Sequence, residues 1–318
     1  MDCIQEGKTI MPLLSIIIPA YNEEEAIEYV ASALHKVLDA KNISFEIIFV
    51  DDGSSDLTYK KIEEQSSFAS NIKGYQFSRN FGKEAAIWAG LQKADGDCCV
   101  VMDCDLQHPP EVLPEMYRKW EEGYEVIEGV KTHRGNEPFL YRFFSNTFYR
   151  IITALSGFDM QTSSDFKLLD KRVVNELLQL EERNTFFRGL SFWVGFHSTK
   201  VGYQVSPRIH GKTKWSFVNL VKYALNNIVG FSTAPMQLVT SLGTILIIAS
   251  LILSVQTLIR YLYGYSLEGF TTVILLILLI GGSLMMSLGI IGLYIAKIYD
   301  EVKNRPRFII SNSTENEK

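Results

Sequence analysis

Residues 100–110 read VVMDCDLQHPP, an apolar run that leads directly into two carboxylates, Asp103 and Asp105, and then into two prolines. Proline lacks the backbone donor that a sheet ladder needs, so we interpret this stretch as a buried strand that ends at the carboxylates. Open α/β sheets bind ligands at that end of their strands. Two oxygen ligands with open positions suit Mg²⁺ or Mn²⁺ held against a diphosphate. A solvent-facing acidic turn is the alternative interpretation.

The composition predicts one large domain with an appendage and indicates membrane segments. The chain has 318 residues, 47% of them hydrophobic, and a formal net charge of −5. This acidic balance argues against a nucleic-acid-binding surface over the whole protein. The basic residues are nevertheless concentrated, since the sequence has no Asp or Glu between Arg183 and Leu267. We expect that segment to face an anionic partner.

The cysteines and the N-terminus favour a reducing compartment. The four cysteines lack the paired spacing of a zinc site, so we interpret them as buried thiols. Residues 1–12 form an N-terminal tail without the apolar core of a signal peptide. The domain that follows is therefore expected to stay in the cytosol.

Strand and helix patterns alternate from residue 13 onwards. Apolar runs predict strands, and helical spacing predicts helices between them. The predicted strands cover 13–18, 45–50, 72–77, 97–102, 125–129, 164–169 and 197–205, and the helices include 23–40, 83–94, 111–122 and 171–180. This alternation predicts a largely parallel sheet with helices on both faces. Polar clusters at the strand ends would then converge on one rim.

Four further segments of the sequence indicate a membrane. Residues 139–155 are rich in aromatic side chains, which is consistent with either a core helix or an interfacial helix near a lipid substrate. Residues 214–230 have the pattern of an amphipathic helix lying on a membrane. The uncharged segments 236–258 and 271–296 are each long enough to cross a hydrocarbon core of about 30 Å. A buried core hairpin is the alternative.

The charges around the two apolar segments predict the topology. Lysines and arginines precede the first segment and follow the second, whereas the loop between them is short. The positive-inside rule then places the catalytic domain and both termini in the cytosol. Small residues in the second segment favour close helix packing, so we expect a homo-oligomer.

Five motifs, in this order along the chain, resemble those of family 2 glycosyltransferases that act on polyprenyl phosphates. The motifs are PAYNE at 19–23, DDGSSD at 51–56, RNFGK at 79–83, DCDLQHPP at 103–110 and RIHGKTKWS at 208–216. The resemblance covers roughly residues 13–298. It points to the bacterial branch that makes undecaprenyl-phosphate glucose, with dolichyl-phosphate mannose synthase as a more distant relative. One mild departure is Thr213, where a Ser is more usual, but the hydroxyl is kept.

The resemblance implies an α/β fold of the GT-A type, which is Rossmann-like with a mostly parallel sheet. Interfacial helices and a two-helix transmembrane hairpin would follow this catalytic domain. The predicted division is a catalytic domain at 13–213, a juxtamembrane helix at 214–230, spans at 236–258 and 271–296, and a cytosolic tail at 297–318. The protein would be an integral membrane protein of the bacterial plasma membrane.

The resemblance also implies the site residues. The implied donor-binding residues are Pro19, Tyr21, Glu23, Asp51, Asp52, Lys83, Asp103 and Gln107. Asp105 would be the main ligand of Mg²⁺ or Mn²⁺, with Asp103 beside it. The implied phosphate- or acceptor-binding residues are Lys167, Arg208, Lys212, Thr213 and Lys214. The metal ligand Asp105 and the basic residues Arg208 and Lys214 are also expected to serve catalysis, because metal and basic groups stabilise a departing diphosphate.

Asp165 matches the family position proposed as the catalytic base. A phosphate monoester has a second pKa near about 6, so a lipid phosphate is already largely a dianion at neutral pH. It hardly needs deprotonation, and Asp165 would then position the acceptor or Lys167, or bind sugar hydroxyls. A structural salt bridge is the alternative interpretation of Asp165 and Lys167.

The sequence thus predicts an inverting, metal-dependent transferase that moves a hexose onto undecaprenyl phosphate at the cytosolic membrane face. Glucose from UDP-glucose is the expected donor sugar, for O-antigen or cell-envelope glycosylation. UDP-GlcNAc, UDP-galactose, GDP-mannose and aminoarabinose-type donors remain alternatives. A processive polysaccharide synthase is disfavoured because two spans are too few to form a pore. A non-catalytic membrane scaffold is disfavoured because both aspartates of the DCD motif are present.

Overall fold

The computed structural model describes residues 11–132, 164–182, 186–204, 234–263 and 269–315. The predicted helices at 139–155 and 214–230 and the basic residues Arg208, Lys212, Thr213 and Lys214 lie outside these ranges. Two compact units divide the chain. One comprises residues 1–214 together with 305–318, and the other comprises residues 215–304.

The first unit is built on one mixed sheet. Its described strands are β1 (Leu13–Ala20), β2 (Ser44–Asp51), β3 (Ile72–Phe77), β4 (Cys98–Val101), β5 (Val126–Lys131), β6 (Lys167–Asp170), β7 (Ser198–Tyr203) and β8 (Ile310–Ser313). Its described helices are α1 (Ile27–Asp39), α2 (Thr58–Phe68), α3 (Lys83–Gln92), α4 (Leu113–Glu121), α5 (Lys171–Gln179) and α6 (Phe187–Trp193). The strand order is β7-β5-β6-β4-β1-β2-β3-β8.

Strands β4, β1, β2 and β3 run parallel to one another and form the centre of the sheet. In β1, Leu14–Ile18 are all buried, because parallel strands are covered by helices on both faces. Helix α1 buries the stripe Ile27, Val30, Ala31, Leu34 and Leu38, which is the spacing of one helical face. The predicted mostly parallel α/β sheet is confirmed.

Strand β6 reverses the direction of the sheet beside β4. It pairs antiparallel with β4, with Lys167 opposite Val101. The residues that precede β6 therefore meet the residues that follow β4 at one edge of the sheet. This brings Asp165 and Asp103 together although they are far apart in sequence. The strand predicted over 164–169 begins only at Lys167, because the residues before it form the turn that carries Asp165.

The C-terminal residues differ from the predicted tail at 297–318. Strand β8 pairs antiparallel with β3, with Tyr75 opposite Ser313. Phe308, just before β8, stacks on Phe77 with ring centroids 5.1 Å apart. The polar composition of β8 conceals it in the sequence, because an edge strand keeps one side in solvent and needs few apolar residues.

The second unit contains the two predicted apolar helices, α7 (Ala234–Leu262) and α8 (Phe270–Val302). Their segments Val239–Arg260 and Leu279–Val302 are long and apolar enough to cross a membrane, and neither is buried within the protein. Hydroxyl groups on both helices donate to carbonyl groups of the preceding turn. Thr244 bonds the Thr240 carbonyl at 2.9 Å, and Ser287 bonds that of Ser283. This internal satisfaction is what hydroxyl groups need in hydrocarbon.

Helix α3 packs so closely on β1 that a Cβ at one of its positions would overlap a neighbouring side chain. A Cβ on Gly90 would lie 2.3 Å from Cγ2 of the buried Ile17. We predict that Gly90→Ala lowers the free energy of unfolding by about 1–2 kcal/mol, because overpacking outweighs the gain in helix propensity. Thermal denaturation in detergent, followed by tryptophan fluorescence, measures this. Gln92→Ala, at an exposed position of the same helix, is the control and should change it by less than about 0.5 kcal/mol. An unaltered melting temperature in Gly90→Ala would contradict the close packing.

Candidate active site

The loops after β1 and β2 are tied together at the carboxyl end of the sheet. The Asn22 backbone N–H donates to Ser54 Oγ at 2.8 Å, and Asn22 Oδ1 accepts from the Ser55 N–H at 2.9 Å. Asn22 adopts a φ of 53°, a left-handed conformation that asparagine tolerates better than most residues. Asn22 lies between Tyr21 and Glu23, two of the predicted donor-binding residues, and the side chain of Tyr21 is exposed. The first two polar strand ends therefore form one connected rim.

Asp51 organises the second loop from a fully buried position. Its carboxylate accepts hydrogen bonds from the Ser54 backbone N–H at 3.0 Å and from Gln76 Nε2 at 2.9 Å. Gly53 makes the turn possible. Its φ is +67°, and a Cβ there would lie 2.5 Å from the Arg79 carbonyl carbon. Asp51 thus shapes the predicted donor-binding loop through contacts with protein groups.

Asp52 joins this loop to the next one. Its Oδ1 accepts from the Phe81 N–H at 2.7 Å, and its Oδ2 accepts from the Gly82 N–H at 3.0 Å. Burial raises the pKa of Asp52 and outweighs the opposing effect of these two donors. The carboxylate therefore anchors the start of α3, where Lys83 begins the helix. Its predicted contact with the nucleoside stays a prediction.

The loop after β4 carries the two carboxylates of the DCD motif. The Asp103 N–H donates to His108 Nδ1 at 3.2 Å, and the Gln107 N–H donates to Asp105 Oδ1 at 3.1 Å. Leu106, between them, has a φ of 54°, which is uncommon for a leucine and marks a backbone held by its surroundings. The loop conformation is thus specified by its own polar groups.

His108 is the support beneath this loop. Its ring stacks on Phe166 with centroids 4.7 Å apart and an interplanar angle of 6°. Burial lowers the pKa of His108, so at neutral pH the imidazole is uncharged and its Nδ1 accepts a hydrogen bond. Phe166 directly follows Asp165. The stack therefore fixes the Asp103 loop against the Asp165 turn.

Four charged side chains meet where these two segments join. The Lys83 ammonium lies 2.6 Å from Asp103 Oδ1 and 2.7 Å from Asp165 Oδ2. Arg188, from α6, binds Asp165 with two donors, its Nε at 2.6 Å from Oδ1 and its Nη2 at 2.9 Å from Oδ2. We call Lys83, Asp103, Asp165 and Arg188 the charge cluster. It combines two carboxylates with two cations.

The charge cluster holds both carboxylates in the ionised form. Burial raises the pKa of Asp165, but the adjacent Lys83 and Arg188 outweigh it and hold that pKa well below its usual range. Burial likewise opposes the ionisation of Asp103, and Lys83 again prevails and lowers the pKa. A carboxylate held in this way is a poor proton acceptor at neutral pH. This favours a positioning role for Asp165 over the catalytic base that its motif suggests.

Lys167, a predicted phosphate-binding residue, lies inside the sheet. Its side chain is only 4% exposed, and its Nζ lies 2.9 Å from Ser191 Oγ and 3.3 Å from Glu128 Oε1. Burial lowers the pKa of Lys167, although Glu128 opposes the shift. In this arrangement its ammonium binds Glu128, on the neighbouring strand, and Ser191. These contacts correspond to the structural salt-bridge alternative, with Glu128 rather than Asp165 as the partner.

Three residues of this site, Glu84, His108 and Arg188, were not among the predicted site residues. Glu84 Oε2 accepts from the Phe187 N–H at 2.9 Å and so fixes the start of α6, which carries Arg188. Burial, with Asp165 nearby, raises the pKa of Glu84 to about 7. His108 lies within the DCDLQHPP motif and Glu84 directly follows the RNFGK motif, so both were within reach of sequence reasoning. Arg188 lies outside the five motifs, and the only sequence feature that points to it is its place in the segment without Asp or Glu.

The described residues offer two carboxylates for a divalent metal. They contain no group of three or more His, Cys, Asp or Glu side chains that could hold one. Asp103 and Asp105 nevertheless fit Mg²⁺ or Mn²⁺ in a nucleotide site. Such a metal takes one or two carboxylates and completes its shell with water and substrate phosphates.

The sequence model for glycosyl transferase family 2 matches residues 15–178. The chain belongs to glycosyl transferase family 2. It is 38% identical over 301 residues to an uncharacterized glycosyltransferase of Synechocystis, covering 94% of this chain and 95% of that protein. It is 34% identical over 302 residues to the bactoprenol glucosyl transferase of Shigella phage SfII, covering 94% of this chain and 98% of that protein.

Among solved structures, the glucosyl-3-phosphoglycerate synthase of Mycobacterium tuberculosis, in complex with Mn²⁺, UDP and phosphoglyceric acid, matches with a TM-score of 0.47. The identity is 23%, and the match covers 69% of this chain and 76% of that chain. The family match confirms the resemblance stated from the motifs, and the sheet and helices of the present protein are those of the predicted GT-A fold.

The charge cluster predicts a pH-dependent cost of removing Arg188. In the wild type, the lowered pKa of Asp165 gives a stabilisation that is complete above about pH 4 and is lost only below it. Arg188→Met removes one of the two cations that counteract the effect of burial on Asp165, so the pKa of Asp165 rises. We expect a loss of about 2–3 kcal/mol at pH 8, less than for a fully broken buried pair because Lys83 remains. Because this pKa starts well below its usual range, the rise leaves Asp165 ionised between about pH 5 and 8, so the loss should be constant there and should shrink only as the pH falls below about 4.

Thermal denaturation of wild type and Arg188→Met across about pH 3–8 measures this difference. The matched control compares Asp165→Asn with Asp165→Asn combined with Arg188→Met. Neither protein of this pair has a carboxylate at position 165 to titrate, so the difference between them should not change with pH. A difference between wild type and Arg188→Met that stays constant over the whole range would show that Arg188 does not control the ionisation of Asp165.

Proposed function

We propose that this glycosyltransferase transfers glucose from UDP-glucose to undecaprenyl phosphate at the cytosolic face of a bacterial plasma membrane. The observation that carries the proposal is the 34% identity to bactoprenol glucosyl transferases over nearly their whole length. Bactoprenol is undecaprenol, so the names of those proteins specify both sugar and lipid. The alignment spans 94% of this chain, more than the catalytic unit alone.

The fold supports a membrane location with the active site on one side. Helices α7 and α8 are two candidate spans, and β8 follows them and pairs within the catalytic sheet. Two crossings return a chain to the side from which it started, as this pairing requires. Under the positive-inside rule, the basic flanks of the two helices support the assignment of that side to the cytosol. The homo-oligomer expected from the small residues of α8 stays a prediction.

In the proposed reaction, an oxygen of the lipid phosphate attacks the anomeric carbon of glucose. The bond from that carbon to the UDP oxygen breaks, and UDP leaves with the electron pair. Attack from the opposite face converts an α-linked donor into a β-linked product. The acceptor is already largely a dianion above about pH 6, so no proton needs to be removed.

The residues of the site have roles that follow from their positions. A divalent ion held by Asp105 and Asp103 would neutralise charge that develops on the departing UDP. Lys83 and Arg188 keep Asp165 ionised and fixed, so that it can orient a hydroxyl of the sugar or a cationic partner of the acceptor. The basic loop at Arg208–Lys214 is proposed to bind the phosphates. An intact set of these groups supports an enzyme over a non-catalytic scaffold.

We predict that Asp105→Ala abolishes transfer, with a loss of at least about 100-fold, while the protein stays folded. Transfer of radiolabel to the lipid fraction and the melting temperature measure the two effects. Binding of UDP in the presence of Mn²⁺ should also weaken, which tests the metal site apart from turnover. Glu115→Ala, an exposed position on α4, is the control and should behave as wild type. Near-normal transfer by Asp105→Ala would exclude it as the main metal ligand.

A parallel transfer assay tests the proposed function. Radiolabelled UDP-glucose, UDP-GlcNAc, UDP-galactose and GDP-mannose are each incubated with the enzyme, undecaprenyl phosphate and Mg²⁺ or Mn²⁺. The proposal requires lipid-linked label from UDP-glucose that is lost with EDTA. Label from a different donor would retain the reaction class and refute the sugar. No label from any of the four donors would contradict the proposed reaction.

A further inference from the structure

We propose that the C-terminal strand β8 is part of the donor site and that Gln76 is a positioning residue for it. The inference rests on the proposed function, because it assumes that the loop at 51–54 binds the donor. Gln76 would transmit the position of β8 to that loop through the Asp51 carboxylate. None of the five sequence motifs contains Gln76 or any residue of β8.

Strand β8 is docked on β3 by several independent contacts. The backbone of Thr314 donates to the Gly74 carbonyl at 2.9 Å, and the Gly74 N–H donates to Thr314 Oγ1 at 2.8 Å. Ser311 Oγ donates to the Gln76 carbonyl at 3.2 Å. Phe308 adds the aromatic stack on Phe77. These contacts hold β8 against β3 with Asn312 opposite Gln76, and the register shifts between Gln76 and Phe77.

The side chain of Gln76 connects this strand to the donor loop. Asn312 Nδ2 donates to Gln76 Oε1 at 2.6 Å, and Gln76 Nε2 donates to Asp51 Oδ2 at 2.9 Å. An amide has one accepting and one donating end, and a carboxylate can only accept. Asn312 occupies the accepting end and so directs the donating end of Gln76 towards Asp51. We call Asn312, Gln76 and Asp51 the amide relay.

The amide relay ends at the groups that shape the rim. Asp51 holds the Ser54 N–H and hydroxyl group, and Ser54 Oγ accepts from the Asn22 N–H at 2.8 Å. Asn22 lies between the predicted donor-binding residues Tyr21 and Glu23. A shift of Gln76 would therefore displace the two loops that are proposed to bind the nucleoside.

The relay is also close in sequence to the second apolar helix. Helix α8 ends at Val302, and Arg307 follows it with contacts to the catalytic unit. Its guanidinium lies over the Trp88 ring, 5.0 Å from the centroid, and donates to the Leu180 carbonyl. Few residues thus separate the end of the proposed span from the strand that orients Gln76. This connection would make donor affinity sensitive to the anchoring of the C-terminal segment.

A double-mutant cycle on UDP binding tests the relay. Isothermal titration of full-length protein in detergent with UDP and Mn²⁺ gives Kd for wild type, Gln76→Leu, Asn312→Ala and the double variant. We expect Gln76→Leu to raise Kd about 5- to 10-fold and Asn312→Ala about 2- to 3-fold, because the former loses a hydrogen bond to a charged group. Because Asn312 acts through Gln76, the double variant should have the same Kd as Gln76→Leu.

Thr314→Val provides the matched control. Thr314 docks β8 on the same strand as Gln76 but bonds Gly74 instead. Thr314→Val should change Kd by less than about 1.5-fold, both when it is added to wild type and when it is added to Gln76→Leu, because contacts outside the relay are independent of it. Melting temperatures of all variants confirm that each is folded.

The outcomes separate the inference from the proposed function. Suppose that wild type binds UDP. If Asn312→Ala raises Kd by the same factor in wild type and in Gln76→Leu, or if neither single variant alters Kd, the relay is refuted and the proposed function stands. If wild type binds no UDP, the proposed donor is wrong, and the inference falls with it.

Discussion

The Lys83 ammonium lies between two carboxylates that would repel each other without it, and the arrangement of the active site depends on this bridge. Asp103 belongs to the loop after β4 and Asp165 to the turn before β6, so the bridge joins the donor side of the site to the side proposed for the acceptor. Arg188 supplies the second cation that Asp165 needs when it is buried. With both cations in place, the cluster has no net charge of its own. The substrate anions then meet two carboxylates, Asp103 and Asp165, whose charge is already offset by fixed cations.

The sheet topology explains why these groups meet. Parallel strands carry the loops with Asp51, Asp52 and Asp103 to one rim, and the antiparallel β6 returns Asp165 to the same place. Helix α3 then begins at that rim, so its first residue, Lys83, reaches both carboxylates. Close packing at Gly90 holds α3, the helix that carries Lys83, against β1. In this fold, the backbone architecture therefore determines where the charged side chains of the site lie.

Much of this arrangement follows from the sequence, and the remainder depends on contacts that local patterns do not record. The apolar runs before Asp51 and Asp103 predicted buried strands with polar ends, because burial and strand polarity are local properties. The sequence did not reveal that Lys167 pairs with Glu128, since two strands bring them together. It also did not reveal β8, whose polar residues form a strand only because β3 offers an unpaired edge. Arg188 was missed because a bidentate contact depends on the tertiary position of α6.

The most direct test of the charge cluster is a double-mutant cycle between Lys83 and Asp165. The specificity constant kcat/KM for lipid transfer would be measured in Lys83→Met, Asp165→Asn and the double variant. If the bridge acts as a unit, each single substitution should lower kcat/KM by more than about 10-fold, and the double variant should be no worse than the poorer single one. Losses that multiply in the double variant would mean that Lys83 and Asp165 act independently. That result would contradict the central role of the bridge in the active site.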